Sequence, residues 1–486
     1  MQIITNPLLL TDVYKMGHME QYAPGTEKVY SYLCARNNKY YQKHVFFGLQ
    51  YYLQQYLSQP LEDWMGEEFI HYRTKILGST SPNVEKKIRD LCRLGYWPLH
   101  IKALAEGTVI GSNNCLMTIE NTNRDFYWCV GFVESMLLKL WYPCSVASCS
   151  LAYREVVDKY FKETVDNKDF LKPYMVHDFG YRGDSSEEGA AISGAAHLLS
   201  FVGSDTVPAY PFIDEFYNVH PSVRAFNQPI MASVPASEHS VMCSFGKENE
   251  MQAIENMLNL YPEGIVSIVS DTYDIYNVCS KIIPQLKDKI LARNGKVVIR
   301  PDSGDPKKVL CGDPEGTTPE ARKGVFLLLE EVFGSTVNNK GYKELHPNIG
   351  VIYGDGMYLE RYKDILETMK QMKFAASNLV IGVGGILRNH SRDTLGFAIK
   401  ATYVENAEGG REIFKDPITD TKKKSHRGKM IVVRDTDGSY KTIDRVGECY
   451  GCKDLLKDAF IDGQTLLMTI FAEIRQNLES HLNYGK

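Results

Sequence analysis

The sequence predicts an α/β protein: an irregular (β/α) barrel inserted in an α+β domain that the N- and C-terminal segments build together. Three observations carry this expectation. Between residues 172 and 390, seven short apolar segments end in Gly, Asp, Arg or His, most of them at intervals of roughly 30 residues, the length of one strand–helix unit. Amphipathic helices fill most of those intervals. Both flanks read differently, as antiparallel strands mixed with helices, so they belong to a second domain.

In chain order, 27–35 (EKVYSYLCA) and 100–119 (HIKALAEGTVIGSNNCLMTI) read as strands, and 126–142 and 151–162 as helices. The seven segments then follow: MVHDFGYRG (175–183), FVGSDT (201–206), SVPASEHS (233–240), SIVSDTYD (267–274), VVIRPDSGD (297–305), VIYGDG (351–356) and LVIGVGG (379–385). Between them, Met251, Ile254, Met257 and Leu258 share one helical face, as do Leu359, Tyr362, Ile365, Leu366 and Met369. Apolar strands alternating with such helices indicate a parallel sheet covered on its outer face, whose reactive groups gather at the C-terminal rim if it closes. An open doubly wound sheet fits the same pattern, because periodicity does not show closure. Residues 305–323 read as a polar loop. After 394, TLGFAIKATYV and GKMIVVRDTDGSYKTID read as antiparallel strands, the second turning at Asp437-Gly438. The expected domains are 1–170 with 391–486, and 171–390.

Composition narrows the function. The chain of 486 residues is 44% hydrophobic and 24% charged, with a formal charge of −5, which fits a soluble globular protein and argues against nucleic-acid binding. The opening MQIITNPLLLTDVYK has no basic start or small-residue cleavage site, and no apolar run is long enough to span a membrane. Eleven cysteines, an odd number without framework spacing, fit a reducing cytoplasm. Cys449-Tyr-Gly-Cys452 stands without a second CxxC or HxxxH and reads as plain thiols rather than a metal site.

The segment ends collect Arg182, Asp205, His239, Asp271, Arg300, Asp302 and Asp355, with glycines at 180, 183, 304, 354, 356, 382, 384 and 385. Arginines and exposed glycine amides suit phosphate oxygens, and carboxylates beside them suit Mg²⁺ or sugar hydroxyls. The combination points to a phosphorylated sugar or nucleotide, without the GxxxxGK[ST] of a P-loop. Each residue has a plainer reading: Arg300 with Asp302 as a structural ion pair, the Asp-Gly of VIYGDG as a turn, His239 as a loop histidine, Phe179 as a core residue. Their recurrence on successive segment ends favours a site. A flat ring at Phe179 suits stacking on a heteroaromatic base. The basic run 422–429 is either a solvated loop or an anion contact.

These segments also carry a resemblance. HDFGYRG, SDTV, SVPASEHS, SDTYDIYN, IRPDSG, GDG, SRD and FKDP, in this order, resemble the nicotinamide phosphoribosyltransferases, within the type II phosphoribosyltransferase family. TDVYK, KVYSY, FFGLQY (46–51) and WYP (141–143) extend the likeness over essentially the whole chain. It implies synthesis of nicotinamide mononucleotide and pyrophosphate from nicotinamide and phosphoribosyl pyrophosphate, in NAD salvage. It further implies Mg²⁺, coupling to ATP hydrolysis, and a homodimer with shared active sites. Phe179 resembles one side of an aromatic sandwich around the pyridine ring, and the partner subunit's Tyr14 the other. Asp205 resembles the acceptor of the carboxamide NH₂, with Arg182 and the partner subunit's Asp12 in the same pocket. Arg300, Gly354, Asp355, Gly384 and Gly385 resemble groups around the ribose and its phosphates. Arg36, Arg392, Lys400, Lys415 and Lys423 resemble phosphate ligands. Asp302, supported by Asp271, resembles the carboxylate near the ribose hydroxyls and Mg²⁺, and His239 the histidine that ATP phosphorylates. His239, Asp302 and Arg300 are the catalytic residues so implied. A nicotinate-specific enzyme of the same fold is the nearest rival. An aldolase-like barrel is disfavoured because no lysine ends a barrel segment, and a type I phosphoribosyltransferase because the chain contains no Asp-Asp.

Overall fold

The computed structural model describes residues 6–36, 39–218, 229–419, 424–436, 438–444 and 453–483. They form two compact units, Met1–Ser148 with Ile213–Ala225 and His390–Lys486, and Cys149–Phe212 with Phe226–Asn389. The expected boundary at 170 differs from this division. A 24-residue helix, Trp141–Thr164, runs through it, so the division falls inside a helix, where composition gives no linker signal.

The second unit is built on five parallel strands in the order Val176–Asp178, Leu379–Val383, Ile349–Tyr353, Asn294–Arg300 and Glu263–Val269. Two further segments close the ring through parallel bridges: Ala236 pairs with Ser267, Ala232 with Gly203, and Ser204 with Asp178. Going round the ring, the staves follow their order in the chain. Closure is what periodicity left open, and it excludes the doubly wound alternative.

The strand pattern explains the packing. In Asn294–Arg300, Val297 and Ile299 are buried while Lys296, Val298 and Arg300 alternate with them, so one face meets the covering layer and the other faces the interior. Helices Glu187–His197, Glu250–Leu260, Pro319–Phe333 and Leu359–Gln371 occur in the intervals between staves. In Leu359–Gln371 the buried residues are Tyr362, Ile365, Leu366 and Met369, four of the five in the predicted apolar stripe; Leu359, at the first helical position, is only half-buried. Because the strands are parallel, all the polar segment ends emerge at one rim.

Residues 305–323 are not a plain loop. Helix Pro306–Cys311 starts at Asp305, whose Oδ1 accepts the Lys308 N–H at 3.1 Å. Helix Pro319–Phe333 starts at Thr318, whose Oγ1 accepts the Ala321 N–H at 3.1 Å. Both starts carry a capping side chain followed by proline at the first helical position, a local signal legible in DP and TP.

The first unit carries a seven-stranded antiparallel sheet in the order Gly409–Glu412, Phe397–Asn406, Lys28–Ala35, Cys115–Asn121, Leu99–Ala103, Lys457–Ile461 and Gln464–Thr465. Strands from both ends of the chain therefore share one sheet, with Lys28–Ala35 between a C-terminal and an N-terminal neighbour. Met430–Arg434 and Tyr440–Asp444 pair as the expected hairpin; its Asp437 lies outside the described residues, as do Lys423, Cys449 and Cys452. None of the nine described cysteines is in a disulfide. Among the described residues no helix is long and apolar enough to cross a membrane.

Candidate active site at the barrel rim

Phe179 follows the first stave and is tied to the last, its N–H donating to Val383 O at 3.0 Å. Its ring lies on two glycines. A Cβ at Gly382 would stand 2.2 Å from the ring's Cδ2 and Cε2, and one at Gly354 would stand 3.4 Å from Cε2. No other residue type leaves room for the ring at position 382. His177, two residues earlier and so on the same strand face, has its ring 4.9 Å from that of Phe179 at 48°. Its Nε2 is 2.9 Å from Asp205 Oδ1, which also accepts from Ser233 Oγ at 2.5 Å. Burial acts to raise the Asp205 carboxyl, but the His177 bond leads the interactions that hold it below the usual range. Asp205 thus stays ionised beside an aromatic ring, with Oδ2 left to accept a donor.

Beneath these residues lies a group that sequence reasoning did not single out. Asp178 is fully buried and accepts from Gly180 N–H at 2.8 Å and Thr206 Oγ at 2.8 Å. Arg388 Nη2 donates to Asp178 Oδ2 at 2.9 Å, Nη1 lies 2.9 Å from Oδ1 as an ionic contact, and Nε donates to Asp184 Oδ2 at 2.7 Å. Burial by itself would raise Asp178, and the Arg388 guanidinium overrides it and keeps the carboxyl low. Only Asp178, inside HDFGYRG, was within a quoted motif.

On the opposite staves, Arg300 Nη2 donates to Ser237 O at 2.7 Å, while its buried Nε has no hydrogen-bond partner among the described residues. Asp302 is raised above its ordinary value by burial, against the opposing charge of Arg300 and with Asp271 and Asp355 adding to the rise. Asp271 is nearly buried; its Oδ2 accepts from Asp302 N–H at 2.8 Å and Ser303 Oγ at 2.6 Å, and its Oδ1 lies 3.1 Å from His239 Nε2. The imidazole of His239 is about half exposed, at 47%. Glu250, also buried, is pushed up to about 7 by burial and by the neighbouring Asp274 and Asp271. Gly354, Asp355, Gly384 and Gly385 follow the sixth and seventh staves, as expected, and Arg182 lies exposed in the turn Tyr181–Gly183.

The expected Mg²⁺ ligands can be tested on their chemistry. Asp302 and Asp271 are oxygen donors in an acid-rich corner, where a cation would offset the burial and the neighbouring acids Asp271 and Asp355 that together raise Asp302. Among the described residues no three His, Cys, Asp or Glu side chains form a metal cage. Mg²⁺ usually keeps several waters and takes one or two carboxylates plus substrate phosphates, so the donor set fits that ion.

The remaining expected residues belong to the first unit. Arg36 directly follows the strand Lys28–Ala35, with Nε donating to Gly396 O at 3.2 Å. Lys400, opposite Tyr32 in the sheet, is held below the usual lysine range by burial, with Arg36 and Lys415 adding like charge. These three cations form a partly buried basic cluster, suited to an anion. Arg392 pairs with Asp393 at 2.8 Å. Tyr14 is 62% exposed in the turn Val13–Gly17, 5.4 Å from the His18 ring. Asp12 accepts from Ser135 Oγ.

A closed parallel barrel with carboxylates, an arginine and glycine turns at one rim is the architecture of a barrel enzyme acting on a phosphorylated substrate. Comparison with known proteins narrows this. Residues 174–463 match the family model for nicotinate phosphoribosyltransferase (NAPRTase), and residues 6–63 match a nicotinamide phosphoribosyltransferase N-terminal domain. A nicotinamide phosphoribosyltransferase of Acinetobacter baylyi is 40% identical over 514 residues, covering 99% of this chain and 98% of that protein. One from Xanthomonas campestris pv. campestris is 36% identical over 490 residues, covering 99% of each. In fold, the chain is similar to a nicotinate-nucleotide pyrophosphorylase from Pyrococcus furiosus (TM-score 0.62, 14% identity, 100% of this chain and 98% of that one). It is likewise similar to human nicotinic acid phosphoribosyltransferase (TM-score 0.59, 16% identity, 98% and 94%). The chain belongs to the nicotinate phosphoribosyltransferase family and is a phosphoribosyltransferase of NAD biosynthesis.

Proposed function

We propose that this enzyme transfers the phosphoribosyl group to nicotinamide, forming nicotinamide mononucleotide and pyrophosphate, and that ATP stimulates the reaction through His239. The observation that carries the choice of base is Asp205. An ionised carboxylate, steadied by His177 and Ser233 next to the Phe179 ring, accepts a carboxamide N–H and repels the carboxylate of nicotinate. The names of the full-length relatives support the same base.

In the reaction the bond from ribose C1 to pyrophosphate breaks, the electron pair leaves with pyrophosphate, and the pyridine nitrogen supplies the pair that forms the new bond. The ring nitrogen is already neutral, so no general base is required. Phe179 and Asp205 orient the base by stacking and by a directional hydrogen bond, which fixes the nitrogen relative to C1. Arg300, with an unspent Nε–H, is suited to a phosphate oxygen, and the amides of Gly384 and Gly385 suit the sugar phosphate. Asp302, with Asp271 behind it, would hold Mg²⁺, which supplies positive charge toward the departing pyrophosphate. For ATP coupling, Asp271 accepts the His239 Nε2–H and leaves the Nδ1 pair to attack the γ-phosphorus, with ADP leaving. The cluster of Arg36, Lys400 and Lys415, together with Arg392 and Lys423, serves as phosphate ligands, and Tyr14 and Asp12 complete the base pocket of a partner subunit in a cytoplasmic homodimer.

The test is direct. Purified protein is incubated with phosphoribosyl pyrophosphate, Mg²⁺ and either nicotinamide or nicotinate, with and without ATP, and the mononucleotide is identified. Preferential formation of nicotinamide mononucleotide, accelerated by ATP, is expected; conversion of nicotinate alone would overturn the assignment.

A further inference from the structure

We propose that the buried triad Asp178–Arg388–Asp184 is a positioning device that locks the base-binding loop to the glycine-rich phosphate loop, with Arg388 as its key. The inference rests on the function proposed above. Arg388 lies three residues beyond Gly385, at the end of the turn Gly385–Leu387, and its side chain is 1% exposed. Its burial keeps the side chain off the open rim. Instead it reaches into the loop that follows the first stave and grips it at two points, Asp178 just before Phe179 and Asp184 just after Gly183.

The geometry around the guanidinium is built for this contact. A Cβ at Gly180 would stand 2.7 Å from Arg388 Cζ, and one at Gly183 would stand 3.2 Å from the Gly385 Cα. Two glycines of HDFGYRG therefore serve the approach of the other loop. Both acids are tied further. Thr206 Oγ donates to Asp178 at 2.8 Å, and that threonine follows Asp205. Ser193 Oγ, from the helix Glu187–His197, donates to Asp184 at 3.0 Å. One guanidinium thus joins the residues that carry Phe179 and Asp205 to the residues that carry Gly384 and Gly385.

Removing one member of a buried charge group is strongly destabilising because the partner's charge is left uncompensated. The test therefore uses the triple variant Arg388→Gln/Asp178→Asn/Asp184→Asn, which removes all three charges together and keeps the triad's polar shape, beside the conservative Arg388→Lys. Steady-state kinetics with nicotinamide and phosphoribosyl pyrophosphate are read together with thermal melting. The triple variant is expected to raise KM for both substrates by about tenfold or more, since a loop displacement of about 1 Å is enough to cost up to a hundredfold, with Arg388→Lys keeping part of the wild-type value. A fall only in kcat or melting temperature, with both KM values unchanged, would show a merely structural role and overturn the proposal. A rise in one KM alone overturns the coupling. Wild-type turnover in the same assay tests the functional reading separately, so failure of that reading and failure of this inference give different results.

Discussion

Replacing Gly382 by alanine adds one methyl group where the structure has no room for it. The new Cβ would stand 2.2 Å from Cδ2 and Cε2 of Phe179, whereas carbon atoms in contact sit about 3.5 Å apart. The ring must withdraw by about 1.3 Å, the difference between these distances. It cannot slide toward Gly354, whose Cα would itself lie 3.1 Å from the added Cβ, so it is driven off the stave surface. Overpacking of this kind costs about 1–3 kcal/mol of stability, tolerable for a chain of this size. The functional cost is larger, because a misplacement of about 1 Å at a positioning group lowers rates by up to a hundredfold. Gly382→Ala should therefore lower kcat/KM for nicotinamide by about 10- to 100-fold, mainly through KM. Steady-state kinetics at saturating phosphoribosyl pyrophosphate read this, with circular dichroism establishing that the variant is folded. A folded variant with an unchanged KM for the base would refute the role given to the Phe179 ring.

Three other outcomes are expected. Asp205→Asn removes the charge that repels nicotinate, so the nicotinamide-to-nicotinate ratio of kcat/KM should fall by about tenfold or more; an unchanged ratio would shift base selection to another residue. His239→Ala should abolish ATP stimulation while leaving slow basal transfer, and full ATP acceleration in the variant would remove the phosphohistidine step. Glu106 is buried and pushed up to about 7 by that burial, while Gln50 N–H, bonded to it at 2.8 Å, acts against the rise. A carboxyl raised on folding is protonated in the native state while ionised in the unfolded one, so stability falls as pH rises from about 4.5 to about 7. Glu106→Gln should remove up to about 3 kcal/mol of that loss, visible as a flatter dependence of melting temperature on pH between 5 and 8; equal slopes for both proteins would show that Glu106 is not its source.

Much of the site was legible because its residues sit at strand ends, and strand ends are marked locally. VVIRPDSGD announces itself by a β-branched run broken by charge, proline and glycine, and the structure places Arg300 and Asp302 at that break. His177 was open to the same reasoning, since a two-residue spacing puts it on the face of Phe179, but its role depends on Asp205 being the neighbouring stave. Arg388 offered no signal: a single arginine after GVGGIL resembles any surface arginine until Asp178 and Asp184 are brought against it. The helices within 305–323 were missed for a different reason, the polar composition outweighing two capping pairs that were present.

Local order alone therefore determined the seven segments, the helices between most of them and the chemical character of their ends. It did so because hydrophobic period and turn residues act over a few positions along the chain. Tertiary structure alone decided that the ring closes, that Phe179 rests on the bare backbone of Gly382, and that one guanidinium holds two loops about 200 residues apart (Asp184 and Arg388, |i−j| = 204). Those outcomes depend on which staves become neighbours, and excluded volume and buried charge act only once they have.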